Sequence, residues 1–460
     1  MVMRRVSRYG LLGASVVMLA AGLTVVRPAL VRATTTEFSV PPGLEAQVDF
    51  WKRVFGTYSM YQVVIHDTWR LDRVYEVLDF QTLADSTMGD VAVESYIHEK
   101  VYAEKERIRA ILLRLHQLGP NPEGLTEEER KVWAMFADVK EPSKFLDAAA
   151  DDRIRGQRGM RERFAAGVEV SRRYLPEMET IFRREGLPVQ LTRLPLVESC
   201  FNVHAYSKVG AAGIWQFMPS TGRHYLRIDN AVDERRDPVK STAAAAAHLR
   251  ANYEVLQTWP LAITAYNHGR AGMAHAVATV GTSDLVEIIH HYNGPAFKFA
   301  SRNFYAEFLA ALDVEQHFPE YFGELTPLRP RKTDSVVAPD YVTLQALAHA
   351  AGSDRDTLAD LNPALTQDVV AGRLHVPKGY ELRVPPGAAA GFATRYASVA
   401  PGEKHARQRN AYVTHRVKKG QTLVAIAKHY GTTVAAIQRV NNLRASARVK
   451  PGRSLIIPTG

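Results

Sequence analysis

The stretch that most constrains this chain of 460 residues is Leu194–Thr221, LPLVESCFNVHAYSKVGAAGIWQFMPST. One carboxylate, Glu198, lies there among apolar neighbours, and no other Asp or Glu occurs in the stretch. Apolar surroundings disfavour the charged form of a carboxyl group, so its pKa rises towards the pH at which a general acid works. A glutamate on a helix is more commonly solvated. The apolar context favours Glu198 as the reactive group; its neighbours are Leu194, Leu196, Val197 and Phe201.

The residues that follow Glu198 have separate chemical uses. Gly210 and Gly213 allow backbone turns or the close approach of a ligand. Gln216 offers a donor and an acceptor to a sugar, and Ser207 could hydrogen-bond the acid itself. A second polar run, Ala265–Gly269, adds a phenol and an amide after an apolar helix. The long spacing of these residue types strengthens the interpretation of Glu198 as the reactive group.

These two motifs resemble those of the lytic transglycosylase family with a lysozyme-like fold, which cleaves the glycan of peptidoglycan. The resemblance covers about residues 164–305 and is strongest to the membrane-bound, D-type members. It implies that Glu198 is the acid/base. It also implies glycan-contacting or acid-orienting roles for Ser207, Gln216, Met218, Tyr266 and Asn267. Cys200 fills a variable position of the motif and is expected to be a buried small hydrophobe.

The missing second acid favours one mechanism. A glycosidase that uses two carboxylates needs them about 5–10 Å apart, but no Asp or Glu lies between Ser199 and Ile228. A partner could still come from elsewhere in the fold. The resemblance implies that Glu198 acts alone on the MurNAc–GlcNAc β-1,4 bond and that the muramic acid 6-hydroxyl is the nucleophile, giving 1,6-anhydro ends. The alternatives are a lysozyme-like hydrolase and a noncatalytic peptidoglycan-binding protein.

The start of the chain predicts export. Residues 1–33 have the charged start, apolar run and small-residue site of a secretory signal, and an uncleaved membrane anchor is the alternative. No Cys follows the apolar run, so a lipoprotein linkage is not expected. We expect a periplasmic or envelope protein, without a metal or cofactor because the histidines lack a ligand spacing.

The centre of the chain is expected to be mainly helical. Residues 40–159 show helical stripes and a Thr126–Glu129 capping box, with candidate strands at Val63–His66 and Val74–Phe80. Residues 160–328 are predicted as an α+β lysozyme-like catalytic domain that opens with the helix Met160–Arg184.

An acidic loop precedes the next part of the predicted catalytic domain. Asp237 and Pro238 are predicted to form a turn and cap before the alanine-rich helix Thr242–Leu256. We expect Asp233, Glu234 and Asp237 to be solvated.

The last part of the chain contains an internal repeat. The pattern that starts at Thr343 and ends at Asn362 recurs 79 residues later, from Thr422 to Asn441. Each copy has two predicted helices and a V/I-P ending, and the second resembles a βααβ LysM module, whose family binds N-acetylglucosamine-containing glycans. We divide this part into a degenerate LysM-like copy (338–387), a flexible linker (388–410) and a LysM domain (411–460).

The predicted LysM domain is basic. Residues 411–460 contain nine Lys or Arg and no Asp or Glu, which suits an acidic polymer, an anionic membrane surface or nucleic acid. Because the chain is predicted to be exported, we expect peptidoglycan strands and not nucleic acid as the partner, with membrane association through the N-terminal segment as an option. The glycan-binding candidates are Gly420, Gln421, Thr422 and Asn441.

Overall fold

The computed structural model describes residues 38–84, 87–324, 326, 328–409, 412–441, 443–444 and 449–458. The predicted signal segment, 1–33, lies outside these ranges. Within them, no helix has the length and apolar character needed to cross a membrane. The mainly α fold class is confirmed, with small sheets near the N-terminus and in the C-terminal repeat.

The N-terminal region combines helices with a small sheet. Its elements are α1 (Glu45–Gly56), β1 (Gln62–Asp67), β2 (Val74–Asp79), α2 (Asp90–Leu118), α3 (Glu127–Ala134), α4 (Lys144–Ala148) and β3 (Ile154–Arg158). The strands form an antiparallel sheet in the order β2-β1-β3. Both predicted strands and the Thr126–Glu129 capping box are confirmed. The description of this region as helical is therefore incomplete.

Alternation along β1 explains why this sheet is buried between two cores. Val63 and Ile65 face a cluster formed with α2, α3 and α4, whereas Val64 faces the large central core. α1 also belongs to the central core, through Phe50 and Phe55. A domain boundary at residue 160 would thus divide one continuous hydrophobic core.

The central core is built from helices. They are α5 (Arg161–Arg184), α6 (Leu194–Glu198), α7 (Pro219–Gly222), α8 (Pro238–Leu256), α9 (Trp259–His268), α10 (Arg270–Val280), α11 (Leu285–His291), α12 (Phe299–Gln316) and α13 (Phe318–Phe322). α12 lies at the centre and packs against α1, α6 and α9. Its buried Tyr305 and Phe308 hold these helices around the segment that carries Glu198.

The C-terminal part contains two copies of one construction. The first has β4 (Asp334–Val337), β5 (Tyr341–Val342), α14 (Leu344–Ala350), α15 (Arg355–Leu361), α16 (Gln367–Val370), β6 (Glu381–Val384), α17 (Phe392–Ala397) and β7 (Lys404–His405). The second has β8 (Tyr412–Arg416), α18 (Leu423–Tyr430), α19 (Val434–Val440) and β9 (Ser454–Pro458). The outer strands pair antiparallel in both copies, β4 with β6 and β8 with β9.

Equivalent side chains make equivalent hydrogen bonds within each of the two copies. Thr343 and Thr422 each accept a hydrogen bond of 3.2 Å from a backbone N–H of the helix that they cap. Asn362 bridges its helix to Arg383 of β6, and Asn441 bridges its helix to Ile456 of β9. The repeat seen in the sequence is therefore a repeat of structural contacts.

The segment predicted as a flexible linker, 388–410, contains a helix and a strand within its described residues, 388–409. Phe392 and Tyr396 of α17 are buried in the core of the first copy, and Val399 joins them. β7 pairs with β5. The Gly- and Ala-rich start of the segment concealed these apolar residues, whose burial against α14 orders the chain.

Candidate active site

Glu198 is the last residue of α6, a short helix that begins at Leu194 and has Pro195 in its first turn. The chain then turns sharply, because Cys200 and Phe201 both adopt left-handed conformations with φ of 49° and 54°. Ser199 stabilises this turn by donating a 2.8 Å hydrogen bond from Oγ to the carbonyl oxygen of Ile214. The predicted position of Glu198 near a helix C-terminus is confirmed.

The carboxyl group of Glu198 is held in a state suited to proton donation. Burial, and after it the nearby carboxyl group of Glu307, raise its pKa to about 8. Among the described residues, none forms a hydrogen bond or ion pair with it. Ser207, which the sequence offered as a partner, accepts a 2.9 Å hydrogen bond from the backbone N–H of Ala211 instead. Glu198 therefore keeps its proton near neutral pH and can offer it to a ligand.

Glu307 is the residue that sequence reasoning missed. It is half-buried on α12, which packs against α6. Burial raises the pKa of Glu307 to about 8, and the guanidinium of Arg155 on β3 opposes this shift. A second carboxyl group thus acts on Glu198 from a helix far along the chain. Its apolar context on α12 is typical of a core helix, so no local signal marked it.

Tyr266 and Asn267 lie in the last turn of α9. The Tyr266 hydroxyl donates a 2.8 Å hydrogen bond to the carbonyl oxygen of Trp215. Its pKa is raised by burial and then by the negative charge of Glu198. Asn267 Oδ1 accepts a 2.9 Å hydrogen bond from Ser301 Oγ of α12. The structure therefore places Tyr266 within electrostatic reach of the acid and anchors Asn267 at its edge.

The loop 205–218 carries three predicted site residues. Gln216 has a left-handed φ of 47° and donates a 2.8 Å hydrogen bond to the carbonyl oxygen of Gly213. Trp215 is buried and donates to Thr242 Oγ1, which fixes the loop on α8. Met218 remains exposed before the predicted helix start at Pro219, which is confirmed. The hydrogen bonds of Gln216 and Trp215 thus fix the loop, while the side chain of Met218 stays accessible to a ligand.

An arginine behind this loop supports it. Arg235, which is 3% exposed, donates to the carbonyl oxygens of Gly210 and Phe217 at 2.7 and 2.9 Å. Gly213 has a φ of 76°, and a Cβ there would lie 1.9 Å from the carbonyl oxygen of Arg235. A glycine is therefore required where the loop crosses this segment.

Two of the acids in the adjacent loop are not solvated, contrary to the prediction. Asp233 is buried and pairs with Arg235 through both oxygens, at 2.8 and 2.7 Å. Asp237 is 2% exposed, caps α8 as predicted and pairs with Arg383. They are buried because each meets an arginine that the sequence alone does not place there. Glu234 pairs with Lys240.

Glu198 also lines a cavity of about 580 Å³ between α5 and residues 199–204. Arg173 and Tyr174 of α5 line it, together with Asp360 from the first C-terminal copy. Ser207, Gln216, Met218, Tyr266 and Asn267 do not border this cavity. Of the predicted site residues, Glu198 alone lines this cavity. Cys200 lines the cavity too, and burial raises the pKa of its thiol to about 11, so it is not an activated nucleophile.

The predicted glycan-binding residues of the second copy have internal bonds. Gln421 Oε1 accepts one 2.8 Å hydrogen bond from Lys418 N and lies 2.8 Å from His415 Nε2. Thr422 caps α18, and Asn441 bridges α19 to β9. Gly420 has a φ of 82°, as a turn before the helix requires. Contacts of these four residues with a glycan stay a prediction.

Comparison with known proteins identifies the two units. The family model described as "Transglycosylase SLT domain" matches residues 180–289, the segment that contains Glu198, Tyr266 and Asn267. The chain contains a transglycosylase SLT domain and is similar to a lytic murein transglycosylase. In this lytic transglycosylase the family model "LysM domain" matches residues 415–458, within the predicted 411–460.

Two relatives show the extent of the similarity. The "Membrane-bound lytic murein transglycosylase D" of Escherichia coli (strain K12) is 29% identical over 347 residues, which cover 72% of this chain and 73% of the relative. The "Putative tributyltin chloride resistance protein" of Alteromonas sp. (strain M-1) is 32% identical over 109 residues, or 23% of this lytic transglycosylase and 53% of the relative.

Proposed function

We propose that this lytic transglycosylase cleaves the MurNAc–GlcNAc β-1,4 bond of peptidoglycan and forms 1,6-anhydro-MurNAc ends, with Glu198 as the general acid and base. The observation that carries the proposal is the raised pKa of a carboxyl group that lines a cavity without a hydrogen-bond partner among the described residues. Such a group is protonated before the reaction, can give up its proton during it and can take a proton back at its end.

The proposed reaction has two proton transfers and no water. Glu198 gives its proton to the glycosidic oxygen, and the bond from this oxygen to C1 of MurNAc breaks. The 6-hydroxyl of the same MurNAc forms a bond to C1 and returns its proton to the Glu198 carboxylate. The acid is restored, and atoms balance without a co-reactant. Tyr266, Asn267 and the loop with Gln216 would orient the sugar for this step, which is a positioning contribution.

Glu307 makes a lysozyme-like hydrolase the second candidate. Two carboxyl groups that lie close enough to interact electrostatically suit a retaining or inverting mechanism, in which one of the two is ionised. The pKa of Glu307 is, however, raised to about 8 by burial, so it is mainly protonated at neutral pH. A neutral carboxyl group is neither a nucleophile nor a base, which favours the mechanism with one acid.

The C-terminal modules suggest where the enzyme works. We infer that the second module, 412–458, binds wall glycan and keeps the active site close to an insoluble polymer, which raises the local substrate concentration. The relatives' names and the signal-like segment 1–33 support action in the cell envelope. A noncatalytic wall-binding protein would have no need of a desolvated acid beside a cavity.

Digestion in water labelled with heavy oxygen tests this proposal. Purified wall sacculi are treated with the protein, and the mass of each new glycan end is measured. We expect anhydro ends that contain no label, and we expect Glu307→Gln to form the same ends. Labelled reducing ends, lost in Glu307→Gln, would establish the hydrolase instead.

A further inference from the structure

The first C-terminal copy is fixed to the catalytic part by backbone contacts. Asp233 N donates to Ala364 O at 2.8 Å, and Thr366 N donates to Ala231 O at 3.0 Å. The Thr366 hydroxyl donates to Asn230 O at 2.7 Å. Three hydrogen bonds between two loops therefore fix the position of the first copy relative to the catalytic part.

Apolar and ionic contacts strengthen the same interface. Ala231 and Val232 of the catalytic loop are buried in the hydrophobic core of the first copy. Arg383 of β6 pairs with the buried Asp237 at 2.7 Å. Residues from both units therefore share one hydrophobic core.

This placement brings Asp360 of α15 to the cavity that Glu198 lines. The Asp360 carboxylate is exposed and pairs with Arg331 of its own copy. Arg173 of α5 lines the same cavity and is half-buried, and its buried Nε has no hydrogen-bond partner among the described residues. Tyr174 of α5 also lines the cavity. A carboxylate that accepts hydrogen bonds, a guanidinium that donates them and an aromatic ring are the groups that bind sugar hydroxyls and sugar faces.

We propose that the first LysM-like copy is a fixed wall of the catalytic groove and that Asp360, with Arg173 and Tyr174, forms a subsite for sugar units on the far side of the cleaved bond. The inference rests on the proposed function. Because Glu198 and Asp360 line the same cavity, a strand bound at the acid extends through this cavity towards Asp360. The subsite would make cleavage depend on strand length.

Binding to soluble glycan strands tests the subsite separately from catalysis. The full chain with Glu198→Gln is titrated with the shortest strand that it binds and with strands a few disaccharides longer. In this background Asp360→Ala should weaken binding of the longer strands about tenfold, as expected for one charge-assisted hydrogen bond. It should leave the shortest strand unchanged. The second LysM module is present in every variant, so its contribution to binding cancels when the dissociation constant of a variant is divided by that of the parent.

Two matched variants separate the carboxylate from its surroundings. Arg331→Ala removes the ion pair but keeps Asp360, and Asp356→Ala removes an exposed carboxylate on the same helix that pairs with Arg355. Both should bind strands of either length as the parent does. Thermal unfolding of each variant confirms that the fold is kept.

The outcomes distinguish the subsite from the function. Equal weakening for both strand lengths, or no weakening by Asp360→Ala, would overturn the subsite. If the length-dependent loss is found but the wild type does not cleave these strands, the proposed function fails and the subsite stands.

Discussion

The guanidinium of Arg383 in the first C-terminal copy pairs with the carboxylate of Asp237 in the catalytic part, with 2.7 Å between Nη1 and Oδ2. Asp237 also accepts hydrogen bonds from Val239 N and Lys240 N at the start of α8. One buried carboxylate therefore caps a catalytic helix and holds the neighbouring module.

Removal of this arginine should destabilise the protein. Arg383→Ala leaves Asp237 buried without its cation, and breaking a buried pair costs about 3–5 kcal/mol. The remaining cap bonds reduce this cost, and we expect a loss of about 2 kcal/mol in the free energy of unfolding. Denaturant unfolding measures it. Arg355→Ala, which breaks an exposed pair in the same module, should change it by less than about 1 kcal/mol. Equal effects would show that the interface adds no stability.

The pH dependence of cleavage should report Glu307. The proton that Glu198 donates is lost as the pH rises through its pKa of about 8, so the rate falls on the alkaline side. Glu307 ionises over the same pH range, with a pKa of about 8, and Glu307→Gln removes the negative charge that it then places near Glu198. The pKa of Glu198 then falls, and the alkaline limb of kcat/KM moves to lower pH. Glu320→Gln, an exposed change on α13, is the control. An alkaline limb that stays in place in Glu307→Gln would contradict the coupling.

Tyr266 should matter through its hydroxyl. Tyr266→Phe removes the hydrogen bond to the carbonyl oxygen of Trp215, which costs about 1–3 kcal/mol when the carbonyl is buried and left unpaired. We expect kcat to fall about tenfold, because the loop with Gln216 loses its position beside Glu198. Steady-state kinetics and the melting temperature separate the two effects. Tyr102→Phe, at a tyrosine that is 62% exposed, should be neutral in both. Unchanged kcat in Tyr266→Phe would remove this tyrosine from the site.

Asn441 offers a test of the second module. Its side chain bridges α19 to β9, so Asn441→Ala should unfold the module and abolish sedimentation with wall sacculi, while cleavage of short soluble strands continues. Circular dichroism follows the unfolding. If wall binding is lost while the module stays folded, Asn441 is a glycan contact, as the sequence predicted.

Local patterns predicted the local structure. The apolar stripe of α5, the capping box at Thr126 and the Glu198 motif each lie within a few turns of chain, so spacing alone indicates their structure. The two copies of the repeat were visible for the same reason.

Contacts between distant segments were not predictable in this way. Glu307 meets Glu198 only because α12 packs on α6, and Asp237 is buried only because Arg383 reaches it. The fixed position of the first copy depends on such pairs as well. A single sequence contains no spacing that reports them, and the apolar residues of 388–410 were hidden among alanines and glycines.

The most direct test of the central claim is mass spectrometry of the products from wall sacculi treated in parallel with the wild type and with Glu198→Gln. The amide keeps the shape of the side chain but has no proton to donate at this pH. The account predicts anhydro-ended muropeptides from the wild type and none from Glu198→Gln, with equal wall binding by both. Anhydro ends from Glu198→Gln at the wild-type rate would contradict it.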